Sequence, residues 1–196
     1  MYARPVTVAA QVRADVERNR SAIVAAAIAL LGQSPNASMQ QIAETAGVNR
    51  ATLYRHFTNR EQLHAALHEA VLADTAALSA QLPTEGPVVP ALRAYLDEAV
   101  TIGERYRFIL MYRRTDPGLF DAEAKATAPV VRAIRRAQQQ GEIDRRLDPV
   151  FAAGQLAMLV IGAIGLVQRG AMTLDDARAQ AQVTFGNAIV PRQAAG

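Results

Sequence analysis

Apolar side chains between Val12 and Leu31 fall on one helical stripe, through Val16, Ile23, Ala27, Leu30 and Leu31, which predicts a helix over that stretch. Gly32 and a Ser-Pro-Asn loop end it. The next forty residues are dense with helix punctuation. Ser38 and Gln41 form an S-x-x-Q capping box opening a helix from Met39 to Thr45 that buries Ile42 and Ala46. Gly47 stops that helix, because the turn calls for a positive φ that costs glycine almost nothing. Asn49 caps a second short helix, Arg50 to Phe57, with Val48, Leu53 and Phe57 facing inward. Thr58 and Glu61 make a second capping box, opening a longer helix through Leu63, Leu67 and Val71 to about Leu82.

A Pro-Thr-Glu-Gly-Pro linker at 83–87 follows, and it is the expected domain boundary. Beyond it the pattern predicts helices at 88–103, 105–114, 118–140, 149–168 and 174–190. Asp116-Pro117 and Asp148-Pro149 are helix-start signals, and Thr173 with Asp176 resembles a third capping box. Pro191 closes the last helix, and Pro129 should kink or split the one it lies in. The fold class is therefore all-α: a mobile arm at 1–12, a head of short helices at 13–58, a connecting helix at 59–82 and a body at 83–196.

Composition agrees, with 51% apolar residues, only 5% aromatic, and alanine in place of β-branched runs. The absence of cysteine excludes disulfides and thiolate metal sites. Arg4, Arg13, Arg18 and Arg20 break up the N-terminus, which lacks the apolar run of a signal peptide, so a cytoplasmic location is expected. A net charge of +3 and a pI near 9.7 fit nucleic-acid binding without establishing it. Of the 21 basic residues only Lys125 is lysine, a bias that reads as a GC-rich coding genome before it reads as function. Val150 to Val167 has about the minimum length for a membrane span, but it carries Gln155 and three glycines among charged helices. A buried helix at a subunit interface is the expectation, and no membrane partner is expected.

Two short helices around a glycine turn could form a plain αα-corner. Three features favour a helix-turn-helix that reads DNA. Ala43 is small where the helices would cross, with Gly47 and Val48 following at the spacing a steep crossing needs. With Leu53 and Phe57 inward, Asn49, Arg50, Thr52 and Arg55 are left to reach base edges or phosphates. Tyr54 and His56 flank them with groups suited to phosphate oxygens.

The stretch SMQQIAETAGVNRATLYRHFTNREQL (38–63) resembles the signature of the TetR family of transcription regulators, and RSAIVAAAIALLG (20–32) fits the same pattern. The body resembles the family in outline, through QGEIDRRLDP (140–149), a long small-residue-rich helix, and TLDDA. The resemblance implies that the helix at 50–57 enters the major groove of an operator half-site. Asn49, Arg50, Ala51 and Thr52 would then face bases or nearby phosphates, while Tyr54, His56 and Arg60 hold phosphates. Gln40 and Thr45 would be further backbone contacts. Position 51 is often glycine in such proteins and is alanine here.

Such regulators bind near-palindromic double-stranded operators as homodimers. Gly154, Ala157, Gly162, Ala163 and Gly165 would let helices pair closely, and Leu156, Leu159, Ile161, Leu166, Phe185 and Ile189 would supply apolar area. The same residues would equally fill the monomer's own core. An effector pocket is expected among residues 88–168, for a small and largely apolar molecule. Tyr95, Phe108, Met111, Tyr112, Phe120 and Met158 would line it, with Thr101 and Gln155 as polar groups. Ligand-driven rotation of the connecting helix would take the reading helices off the half-site spacing.

Two other classes compete. Glu61, His64 and His68 share a helix face as an E-x-x-H pattern, but the partner carboxylates of a di-iron site are missing. No catalytic triad or nucleotide loop is present, so neither an enzyme nor a resident metal or cofactor is expected. The other keeps the DNA-binding head on a body that serves protein interaction or activation with no effector, and a fully packed interior would favour the interaction module.

Overall fold

The computed structural model describes residues 8–110 and 117–189, and every regular element among them is an α-helix. They fall into two units, one ending at His68 and one beginning at Glu69.

The first unit holds α1 (Val8–Gln33), α2 (Met39–Thr45), α3 (Arg50–His56) and the start of α4 (Arg60–Ala80). Its core is contiguous: Ile23, Ala27 and Leu31 from α1, Ile42 and Ala43 from α2, Leu53 from α3, then Phe57, Leu63 and Leu67. Ala43 rather than Ala46 is the buried alanine of α2, as a close crossing by α3 requires. Helix α1 starts at Val8, inside the stretch expected to be an arm. Residues 10–18 are exposed on all sides, so the helix-forming run AAQVRADVER propagates α1 beyond its packed part without burial.

The second unit is built from α5 (Val89–Arg105), the short α6 (Arg107–Leu110), α7 (Pro117–Gln140), α8 (Pro149–Gln168) and α9 (Leu174–Ala188). Leu92, Leu96, Val100, Val130, Ile134, Leu156, Val160, Ile164 and Phe185 form its centre. The end of α4 belongs here too: Leu78 and Leu82 pack against this core and Ser79 is fully buried. The two units therefore part within α4, upstream of the 83–87 linker, because the later part of that helix buries its apolar residues in the body core.

Most helix starts are capped locally, at Asn49, Asp148 and Thr173 and by the Ser38–Gln41 box. The cap of α4 lies one residue later than the sequence suggested. Asn59 Oδ1 accepts from the Gln62 amide and Gln62 Oε1 accepts from the Thr58 amide, leaving Glu61 out. Helix α7 is not split at Pro129. The Thr127 hydroxyl donates to the Glu123 carbonyl one turn back, a back-bond of the kind that bends a helix, in the turn ahead of the proline.

Helix α8 is long and apolar enough to cross a membrane by length and composition, with a mean hydropathy of 2.2. Here it packs against α5, α7 and α9 through Ala152, Ala153, Leu156, Val160, Ala163 and Ile164.

Candidate nucleic-acid interface

The turn between α2 and α3 is a Schellman motif. The Val48 amide donates to the Ala43 carbonyl at 3.0 Å, the Gly47 amide to the Glu44 carbonyl at 3.1 Å, and Gly47 has φ 68°. On the next turn Asn49 accepts from the Thr52 amide at 2.7 Å and fixes the first residues of α3. Burial of Leu53 and Phe57 then decides which side of α3 faces out. Arg50, Ala51 and Arg55 are exposed, and Thr52, Tyr54 and His56 are half-buried. The outward face carries two arginines and no acid, so it suits phosphates and electronegative base edges.

The geometry sorts the expected contact residues into two groups. Arg50, Tyr54 and Arg55 make no hydrogen bond within the described residues, so their donors face a partner uncommitted. The others are partly spent inside the protein. Asn49 uses its carbonyl oxygen as the α3 cap and keeps only its amide to offer. Gln40 Nε2 donates to Glu44 Oε1 at 2.7 Å. The Thr45 hydroxyl donates to the Gln41 carbonyl at 2.9 Å, so its proton is not free for a phosphate.

Arg60 donates to the Pro35 and Ala37 carbonyls, clamping the α1–α2 loop to the start of α4. Its first role is thus to hold the head together. His56 Nε2 is buried without a partner among the described residues, out of reach of a phosphate. Burial, then the charges of Arg55 and Arg20, hold its pKa below the usual histidine value, with Glu17 opposing. The contact made by Arg20 was not anticipated: its guanidinium lies 5.7 Å from the Phe57 ring centroid and joins α1 to the end of α3.

The residues expected to line an effector pocket differ in burial where they are described. Tyr95 is in the body core, its hydroxyl 3.5 Å from that of Ser79, and burial raises its pKa. Thr101 is exposed and accepts from Arg178 of α9 at 3.2 Å. Phe108 is half-buried and Phe120 exposed. Gln155 and Met158 stand on the outer face of α8 with Phe151, Gly154 and Gly162. Met111 and Tyr112 lie outside the described residues.

The pairing surface also needs correction. Leu156, Ala163, Gly165, Phe185 and Ile189 are consumed by the monomer's core, while Gly154, Ala157 and Gly162 face out. A helix that is apolar all round has no polar phase to show which side turns inward.

Among the described residues no group of histidine and carboxylate side chains could hold a metal ion; His64 is buried, not displayed beside Glu61 and His68.

A three-helix head with a Schellman-turned α2–α3 pair and a basic outward face defines a helix-turn-helix DNA-binding protein. Residues 23–67 match the family described as bacterial regulatory proteins, tetR family. The HTH-type transcriptional repressor LfrR of Mycolicibacterium smegmatis is 37% identical over 94 residues, a match spanning 47% of this chain and about half (50%) of that protein. The structure of LfrR from Mycobacterium smegmatis in complex with proflavine superimposes with a TM-score of 0.72 at 26% identity, covering 90% of this chain and 98% of that one. SmeT, the repressor of the Stenotrophomonas maltophilia multidrug efflux pump SmeDEF, superimposes with a TM-score of 0.65 at 25% identity, over 88% and 90% of the two chains.

Proposed function

We propose that this chain is a ligand-responsive transcriptional repressor that binds a near-palindromic operator as a homodimer in the cytoplasm. The observation that carries the reading is α3, whose buried Leu53 and Phe57 leave Arg50, Tyr54 and Arg55 outward with uncommitted donors. One such helix makes too few contacts for specificity, so two heads work on half-sites about 34–36 Å apart, or a multiple of that. The open face of α8 supports the dimer, because Gly154 and Gly162 place no side chain between approaching helices.

The effector reading draws on the relatives, one bound to proflavine and one repressing a multidrug efflux pump. It predicts a small, flat, largely apolar molecule accommodated in the 69–189 unit. On this reading the chain acts by binding.

The test is binding to a duplex covering the DNA upstream of the protein's own gene, at two salt concentrations and against unrelated competitor. Retention against competitor with a steep fall at higher salt supports the reading. Equal affinity for competitor, with no enriched sequence in a genome-wide fragment selection, overturns it. Release by proflavine would add the effector, and indifference to a panel of such compounds would leave a regulator without one.

A further inference from the structure

Three arginines close to the helix-turn-helix differ in what they touch. Arg60 is bound to the carbonyls of Pro35 and Ala37, and Arg20 lies over Phe57. Arg50 is exposed, and its guanidinium carbon sits 5.3 Å from the centroid of the Tyr54 ring, one turn along the same helix. That is within the ~6 Å range over which an aromatic face attracts a cation. The acid nearest along the chain, Glu44, is engaged with Gln40 and does not compete for it.

We infer that Arg50 specifies a guanine in each operator half-site, and that Tyr54 is the positioning residue holding its guanidinium for that contact. The inference rests on the proposed DNA-binding function and adds which base is read and by what device. A guanidinium held over a ring face by cation–π attraction makes no hydrogen bond to the ring and keeps its N–H donors free. Guanine offers O6 and N7 side by side in the major groove, and the two-pronged match to arginine is the commonest specific contact there. A long arginine side chain normally loses rotamer freedom on binding, and the Tyr54 ring removes part of that freedom in advance. The tyrosine hydroxyl lies at the ring edge, off the stacked face, and remains able to donate to a phosphate.

The experiment selects bound duplexes from a random library with wild type, Arg50→Lys, Tyr54→Phe and Tyr54→Leu, each checked for native helicity by circular dichroism. Wild type should enrich a two-fold symmetric motif with one guanine per half-site that depends on Arg50. Arg50→Lys keeps the charge and loses the fork, so preference at that position alone should fall roughly ten-fold or more while the rest of the motif persists. Tyr54→Phe keeps the ring and should retain the guanine with uniformly weaker binding, whereas Tyr54→Leu should lose both. An unchanged guanine preference in Arg50→Lys, or equal preference in Tyr54→Phe and Tyr54→Leu, overturns the inference while leaving the function intact. A wild type that enriches no motif overturns the function and this inference with it.

Discussion

At Gly47 the backbone adopts φ 68°, and a methyl group added there would meet no neighbouring atom. The cost of Gly47→Ala is therefore conformational, about 1–2 kcal/mol, and thermal unfolding should show a correspondingly lower midpoint with no change in core packing. His56 belongs to the same scale. Its depressed pKa means that the folded head resists protonation while the unfolded chain takes up a proton near pH 6.5. Stability should thus be complete at neutral pH and decline as pH falls from about 6.5 towards the folded value, below which it levels off. Thermal midpoints at pH 7.5 and 5.5 should differ by less in His56→Gln than in wild type; an equal difference would remove His56 from the account. Gly47 and Asn49 were legible in the sequence because their partners lie within a few residues. The clamp from Arg60 was not, since its carbonyl partners are 23 and 25 residues away.

The start of α5 makes the same point for an element. Val88, at its N-cap position, has no side chain that can cap it. Glu142, from the turn after α7, accepts from the amides of Val88 and Val89 at 2.8–3.2 Å and caps the helix from 54 residues away. A carboxylate at a helix N-terminus also meets the favourable end of the helix dipole. Glu142→Ala should cost about 1–2 kcal/mol in denaturant unfolding, and Glu142→Gln less, because it keeps an acceptor and gives up the charge. If Glu142→Ala and Glu142→Gln are both neutral, α5 is held by its packing alone. Helix boundaries could be read closely in advance wherever caps are local, as at Asp148 and Thr173. They slipped where the cap had a rival one residue along, as at Thr58 and Asn59.

For the molecule as a whole, the decisive surface is the outer face of α8, where Phe151 is 59% exposed and Met158 45%. An apolar stripe left exposed on a helix marks an interaction surface. Met158→Glu should leave the monomer's stability nearly unchanged, since the side chain is outside the core. If the proposed dimer pairs through this face, sedimentation should find wild type as dimer and the variant as monomer, and operator affinity should drop at least ten-fold with the loss of the second head. A Met158→Glu protein that still sediments as a dimer would move the pairing surface elsewhere.

Local chemistry was enough, from the sequence alone, to determine the all-α class, the α2–turn–α3 unit and the outward residues of α3. Capping, a positive-φ glycine and a 3.6-residue apolar period all act over a few residues and leave their mark in order along the chain. The tertiary structure alone decided that α4 is shared between two units, that Arg60 and Glu142 serve backbone groups far away in sequence, and which side of α8 is open. Those outcomes depend on which surfaces meet, and in a helix as uniformly apolar as α8 no residue type marks the side that will be buried.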